Sequence, residues 1–396
     1  MPAARNRRAC RQEDRVAKQP GNSRFLREMN QARVLDLVRI REGVSRIALA
    51  EATGLSATAI GTIVKGLLED GFIHETGEGI SSGGRKPTLL RLRPDSWYGV
   101  GVDVDARFLY LSVLDHSGRV VLQKRQTTDG RVAPESMVIR ICELVLATLR
   151  GAGIQREKVL GLGISVPGIV ERADRRIAFA PNLAWHDADI LEPIADRLNM
   201  QVYVENESVC SAICEQWMGS CRQVEDFIHI NIDTGIGAGL FLKGGLYRGT
   251  TGSAGEVGHI VVEDGGPLCQ CGNHGCLETL ASLDGMLRQA GMDDFGAFLS
   301  EVRTGNSKAV TVMAHASRSL GRAVSMLANT LNPRLIVLGK RFGEYADLAL
   351  PTIRREVERQ TLTWPARKME VVPGQYGEES SSYGAAILPI RQIMQP

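Results

Sequence analysis

The stretch from His259 to Glu278 reads HIVVEDGGPLCQCGNHGCLE, and it limits what this chain can fold into more than any other segment. His259, Cys269, Cys271 and Cys276 form an H-x9-C-x-C-x4-C array. One imidazole and three thiols at such spacing are the ligand set of a tetrahedral Cys3His zinc site. Gly265, Gly266, Gly272 and Gly275 fall inside the array and supply the backbone freedom that short ligand spacings need. Two alternatives stay open on sequence alone: that these are ordinary buried cysteines, and that His274 rather than His259 is the nitrogen ligand. Three closely spaced cysteines in a glycine-rich loop favour the metal. Four protein ligands leave no coordination position for a substrate, so the ion is expected to be structural.

The 396 residues give room for two or three domains, and 43 % hydrophobic with 23 % charged residues is the balance of a soluble globular protein. No apolar run reaches the length of a membrane span, and the N-terminus lacks the apolar core of a signal peptide. A cytoplasmic protein with no membrane partner is expected. Outside the metal array, Cys10, Cys142, Cys210, Cys214 and Cys221 remain, an odd set that suits a reducing compartment better than a disulfide framework.

The charge is uneven. Residues 1–93 hold 17 Lys and Arg against 10 Asp and Glu, a net of +7, while the rest holds 30 against 35, a net of −5, which together give the overall +2. A basic head on an acidic body points to a polyanionic partner for the head. Residues 1–22 are expected to be a disordered basic tail.

From Arg24 to Arg41 the apolar residues Leu26, Met29, Val34, Leu37 and Val38 recur at near-helical spacing, which predicts a first helix. Ser45 fits the N-cap of a short second helix ended by Gly54, and Ser56 that of a third closed by Gly71. Helix, short helix, glycine turn and helix make a helix-turn-helix. Ile47, Leu49, Ala50, Leu55, Ile60, Ile63, Val64, Leu67 and Leu68 are its expected core. Phe72 and Ile73, then Leu89, Leu90 and Leu92, read as two wing strands around GEGISSGGRKP. The domain is placed at 23–80, with the wing end and a linker over 81–94.

Ser45, Arg46, Ser56, Ala57, Thr58, Ala59, Thr62 and Lys65 are the candidates to face double-stranded DNA from these helices. Most are short or weakly discriminating, so phosphate contacts should supply most of the affinity. Arg85 and Lys86, in an extended Gly-Gly-Arg-Lys-Pro segment, suit an A·T-rich minor groove, unless that segment is a plain solvated linker.

After Pro94 strands alternate with helices in two successive sets, which predicts a two-lobed α/β body over 95–396 with a cleft between the lobes. GISVPG, APNLAW, VENE, IDTGIGAG, GEVGH and the C-x-C-x4-C-x-E run occur in an order that resembles the ROK family of sugar kinases and transcriptional regulators. SRIALAEATGLS and SGGRKPTLLRL resemble the winged helix-turn-helix and linker of its repressor branch. The resemblance implies an actin-like ATPase fold for the body and a sugar in the cleft. It further implies that Asn206, Glu207, Glu256, His259 and Glu278 contact sugar hydroxyls, with Asn182 a further candidate. Carboxylates, an amide and an imidazole are also what a polyol needs for several directed hydrogen bonds. His259 then has two tasks, one ring nitrogen on the metal and the other on the sugar.

Kinases of the family resemble one another in an early Asp-x-Gly-Gly-Thr turn that addresses the phosphates. This chain has Asp103-Val104-Asp105-Ala106-Arg107 there, without either glycine or the threonine and with an added negative charge. Where family kinases have Asn-Asp, this chain has Asn206-Glu207, and the extra methylene displaces the carboxylate from the hydroxyl it must deprotonate. The second glycine-rich turn, Asp233 to Gly239, is intact. These readings favour a sugar-responsive repressor, no enzyme, acting as a homodimer or dimer of dimers on an operator; the alternative is an ATP-dependent sugar kinase that retains a DNA-binding head.

Overall fold

Two serine caps set the second and third helices of the N-terminal domain. In the computed structural model, which describes residues 23–41, 43–78, 87–128, 132–171, 176–363 and 368–394, helix α1 (Ser23–Arg41) leads through strand β1 (Val44–Ser45) into α2 (Arg46–Thr53) and α3 (Ala57–Glu69). The Ser45 Oγ accepts from the Ala48 N–H and the Ser56 Oγ from the Ala59 N–H, each at 3.2 Å. Each satisfies a donor that the first helical turn leaves free. Gly54 ends α2 at φ 74°, and the chain turns through 118° between α2 and α3, as in a helix-turn-helix. Strands β2 (Ile73–Glu78) and β3 (Thr88–Leu92) form the wing, and β1 adds a third strand beside β3.

Leu49, Ile60, Val64 and Leu67 are buried as expected, together with Val34, Leu35 and Val38 of α1. Ile47 is not part of this core but 68 % exposed. On the short α2 only one face meets α1 and α3, and Leu49 takes it; a residue two positions away points to the opposite side. Arg85, Lys86, Cys10 and the expected tail over 1–22 lie outside the described residues.

The body begins with the meander β4 (Tyr98–Val104), β5 (Phe108–Asp115) and β6 (Val120–Thr127), followed by α4 (Pro134–Gly151) and β7 (Val159–Val166). A small antiparallel sheet of β8 (Ile169–Glu171), β9 (Arg176–Ala180) and β10 (Trp185–Ala188) comes next, then α5 (Leu191–Leu198), β11 (Val202–Asn206) and α6 (Glu207–Trp217). The second lobe contains β12 (Phe227–Ile232), β13 (Ile236–Leu242) and β14 (Gly245–Tyr247), the helices α7 (Leu277–Ala281), α8 (Leu283–Ala290), α9 (Phe295–Arg303) and α10 (Ser307–Leu331), then β15 (Leu335–Lys340), α11 (Ala346–Gln360) and β16 (Glu370–Pro373). Helix α12 (Ser380–Met394) returns to the first lobe.

The sheets run β6-β5-β4-β7-β11 and β14-β13-β12-β15-β16. Numbered from its own first strand, each has the order 3-2-1-4-5, an antiparallel meander extended by two parallel strands. One topology built twice gives the two-lobed α/β body that the alternating pattern predicts. Each lobe has its own apolar cluster.

Glycine sets how closely the layers approach. A Cβ at Gly101 or Gly163 would collide with the carbonyl of Ser382 or Ala385, so these strand glycines seat α12 directly on β4 and β7. Between the lobes, a Cβ at Gly237 or Gly239 would strike Ser208 or Ala212 of α6. The glycines of the second turn therefore have a packing role apart from any phosphate.

A third apolar cluster joins the N-terminal domain to the body. The Arg39 guanidinium lies 3.8 Å above the Trp217 ring at the end of α6. Phe72 stacks on Trp97 at 5.2 Å, the Trp97 indole N–H donates to the Asp70 carbonyl at 3.0 Å, and the His116 Nε2–H donates to the Phe72 carbonyl at 2.8 Å. Among the described residues no single helix is long and apolar enough to cross a membrane.

Candidate functional site

The cysteine array folds into a tight knuckle. Gly272 and Gly275 take φ of 92° and 71°, which side chains rarely adopt, and the Cys269 N–H bonds the Asn273 carbonyl at 2.8 Å. The ligand atoms of His259, Cys269, Cys271 and Cys276 all lie within 4.8 Å of one another. His259 Nδ1 is 3.5 Å from Cys269 Sγ, and Cys271 Sγ is 3.6 Å from Cys276 Sγ. Tetrahedral metal bonds of about 2.0–2.3 Å place ligand atoms roughly 3.5–3.8 Å apart, so this set can hold a metal ion. His274 is outside the cluster, its Nδ1 paired with the Gly266 carbonyl at 3.1 Å. The Asn273 N–H brings the Cys271 thiol down to about 7, and burial pushes Cys276 up to about 12.

The other nitrogen of His259 faces away from the cluster. His259 Nε2 is 3.9 Å from Glu256 Oε2. Partial burial raises the Glu256 carboxyl, whose side chain is still 46 % exposed, above its ordinary range, against the pull of His259 and reinforced by the charge of Glu278. Glu278 lies in the first turn of α7, two residues after the last thiol, and its Oε2 accepts the Ile236 N–H at 2.9 Å. Three polar side chains thus converge at one end of the cleft, and one of them holds the glycine-rich turn.

Across that turn lies α6. Asn206 caps it, with Oδ1 accepting from the N–H groups of Ser208 (2.8 Å) and Val209 (3.3 Å) and Nδ2 donating to the Gly168 carbonyl at 2.8 Å. Capping occupies most of its hydrogen-bonding capacity. Glu207 opens the helix, and burial pushes its carboxyl up to about 7. Asn182 is exposed on the turn Pro181–Leu183 and is not joined to the others by a hydrogen bond.

In the segment after β4, Asp105 Oδ1 accepts the Arg107 N–H at 2.9 Å. Lys340, which the sequence reading did not single out, reaches from β15 into the first lobe. Its Nζ lies 3.3 Å from Asp103 Oδ2 and 3.8 Å from Glu207 Oε2. A lysine ending an apolar strand after a glycine was the available signal.

On the N-terminal domain, Ser56, Ala57, Thr58, Thr62 and Lys65 are exposed along α3, and Ala59 is half-buried. Arg46 is engaged by Glu75 of the wing at 2.8 Å, and Lys65 stands 3.9 Å from Glu69.

A model of the ROK family matches residues 99–392. The chain belongs to the ROK family. The ROK match begins just past the wing. The xylose repressor of Bacillus subtilis (strain 168) is 28 % identical over 374 residues, which cover 93 % of this chain and 97 % of the repressor. The DNA-binding transcriptional dual regulator NagC of Escherichia coli (strain K12) is 25 % identical, covering 95 % and 96 %. Among solved structures, a ROK family transcriptional regulator described as a homolog of the E. coli MLC protein superposes with a TM-score of 0.82 at 24 % identity, over 93 % of this chain and 96 % of that one. A ROK family glucokinase from Streptomyces griseus, in complex with glucose and AMPPNP, gives 0.66 at 27 % identity, over 74 % and 98 %. The actin-like ROK fold with an N-terminal winged helix-turn-helix, expected from the motifs, is therefore the fold of this chain.

Proposed function

We propose that this chain is a sugar-responsive transcriptional regulator, a cytoplasmic repressor of carbohydrate uptake or catabolism genes. One observation carries the proposal. Helix α6 starts in the cleft at Asn206 and Glu207 and ends at Trp217, under Arg39 of the DNA-facing domain. Its 11 residues span about 16 Å as one rigid element. A sugar that changes how the lobes close on α6 changes, through Trp217, where the winged domain stands. Such a ligand must bind the two states with different affinity.

In this reading Glu256, His259 and Glu278 hold sugar hydroxyls, with Asn206, Glu207 and Asn182 completing the set. Zinc bound by His259, Cys269, Cys271 and Cys276 is structural: it takes His259 Nδ1 and leaves Nε2 as the donor toward the cleft. A homodimer presents two winged domains to a pseudo-palindromic operator, with Ser45, Arg46, Ser56, Thr58, Ala59, Thr62 and Lys65 along the major groove and Arg85 and Lys86 in the adjoining minor groove. No phosphoryl transfer occurs. Relatives named as xylose repressor and as NagC, matched over nearly their whole lengths, support the same assignment.

The test is a mobility-shift titration on duplexes selected from a random pool, repeated with a panel of hexoses, pentoses and N-acetylhexosamines. One sugar is expected to weaken DNA binding at least about tenfold, a coupling of ~1.4 kcal/mol. A protein that selects no duplex contradicts the proposal.

A further inference from the structure

The floor of the cleft holds an ammonium group surrounded by carboxylates. Lys340 is 6 % exposed. Its Nζ sits 3.3 Å from Asp103 Oδ2, 3.8 Å from Glu207 Oε2 and 3.4 Å from the Glu378 carbonyl. Lys340 pairs with Ile232 across the parallel strands, so Asp233, the next residue, starts beside it. Burial works against the lysine charge, but Asp103, then Glu207 and Asp233, outweigh it and hold the ammonium above its ordinary range.

The backbone is arranged for this contact. Ile336 and Leu338 face the helical side of the second lobe, and a continued strand would send Lys340 the same way. Instead Lys340 has φ 56° and ψ −127°, a region that is essentially glycine's and strains a lysine. That conformation directs the side chain across the lobe boundary to Asp103. The two segments that would address phosphates, Asp103 to Arg107 and Asp233 to Gly239, each open with a carboxylate that acts on this one ammonium. Nearby, the amide of Asn231 is 3 % exposed and has no hydrogen-bond partner among the described residues.

We propose that Lys340 is the specificity-determining residue of the cleft: its ammonium is the resident cation of the acidic floor, and it excludes a divalent metal ion and the nucleotide phosphates such an ion would bring. The cleft then accepts uncharged ligands alone. This goes beyond the regulator assignment and does not rest on it, because the exclusion holds whether or not the N-terminal domain binds DNA.

The test uses the full chain with its Cys3His site filled with zinc. Lys340→Gly relieves the backbone and leaves Asp103, Glu207 and Asp233 without their cation. Mn2+ titrated under electron paramagnetic resonance is expected to bind the variant on the order of 100-fold more tightly than wild type and to raise its melting temperature, with no such rise in wild type. Lys340→Gly combined with Asp105→Asn removes a neighbouring charge that does not touch the ammonium, and serves if the single variant is unstable. If a variant folds only with Mn2+, restoration of its circular dichroism by the ion supports the proposal. Wild type binding Mn2+ as tightly as the variant overturns it, as does Mn2+ failing to bind a folded variant or to restore an unfolded one.

Discussion

At one end of the cleft Glu256 and His259 keep carboxylate and imidazole atoms open to solvent; at the other Asp103 and Glu207 turn theirs on Lys340, with the charge of Asp233 added nearby. Both ends are acidic but differ in their counter-charge. At the open end the positive element would be a metal ion held by His259, Cys269, Cys271 and Cys276, which would stand on the Nδ1 side of His259 and leave Nε2 toward Glu256. At the closed end it is a side chain placed among the acids. Carboxylates in a cleft do not by themselves define a phosphoryl-transfer site; the identity and position of the cation decide what can enter.

Breaking the open end should have the largest effect. Cys276 is fully buried, and Cys276→Ser should lose the bound metal and, with it, the orientation of His259. Metal analysis by atomic emission should show the loss, and calorimetry with the effector sugar should show affinity falling by roughly 100-fold. Retained sugar affinity without metal would contradict the coupling of metal to His259.

A smaller effect is expected at the closed end, from pH. Glu207 titrates at about 7 in the folded chain, above its value of about 4.3 when unfolded. Between these values the native state holds more protons than the unfolded one, so this group makes stability fall as pH rises. Glu207→Gln removes that slope. Melting curves from about pH 5 to about pH 8 should show the variant gaining on wild type as pH rises; parallel curves would mean that Lys340 already neutralises the carboxylate.

Much of this arrangement was legible in the sequence, because local chemistry fixed it. Ser45 and Ser56 cap the helices they precede, and the H-x9-C-x-C-x4-C spacing brings its four ligand atoms together. The choice between His259 and His274 needed coordinates, since both are near the thiols in sequence and only the fold of the knuckle separates them. Ile47 was misplaced because a short amphipathic helix offers too few turns to define its buried face. Lys340 gave little signal for a different reason: its carboxylate partners lie more than a hundred residues away, and its own backbone reverses the strand alternation by which its direction would be read. The glycines of Asp233 to Gly239 read as a phosphate turn, yet Gly237 and Gly239 are also required where α6 meets β13.

The central claim is that this cleft binds sugar as a signal and does not phosphorylate it. The most direct test incubates the metal-loaded protein with ATP, Mg2+ and the sugar that weakens its DNA binding, and follows ADP release in a coupled assay. ADP release is expected to be no faster than in protein-free controls while the sugar still shifts the DNA complex. Sugar-dependent ADP release above that background would contradict the claim.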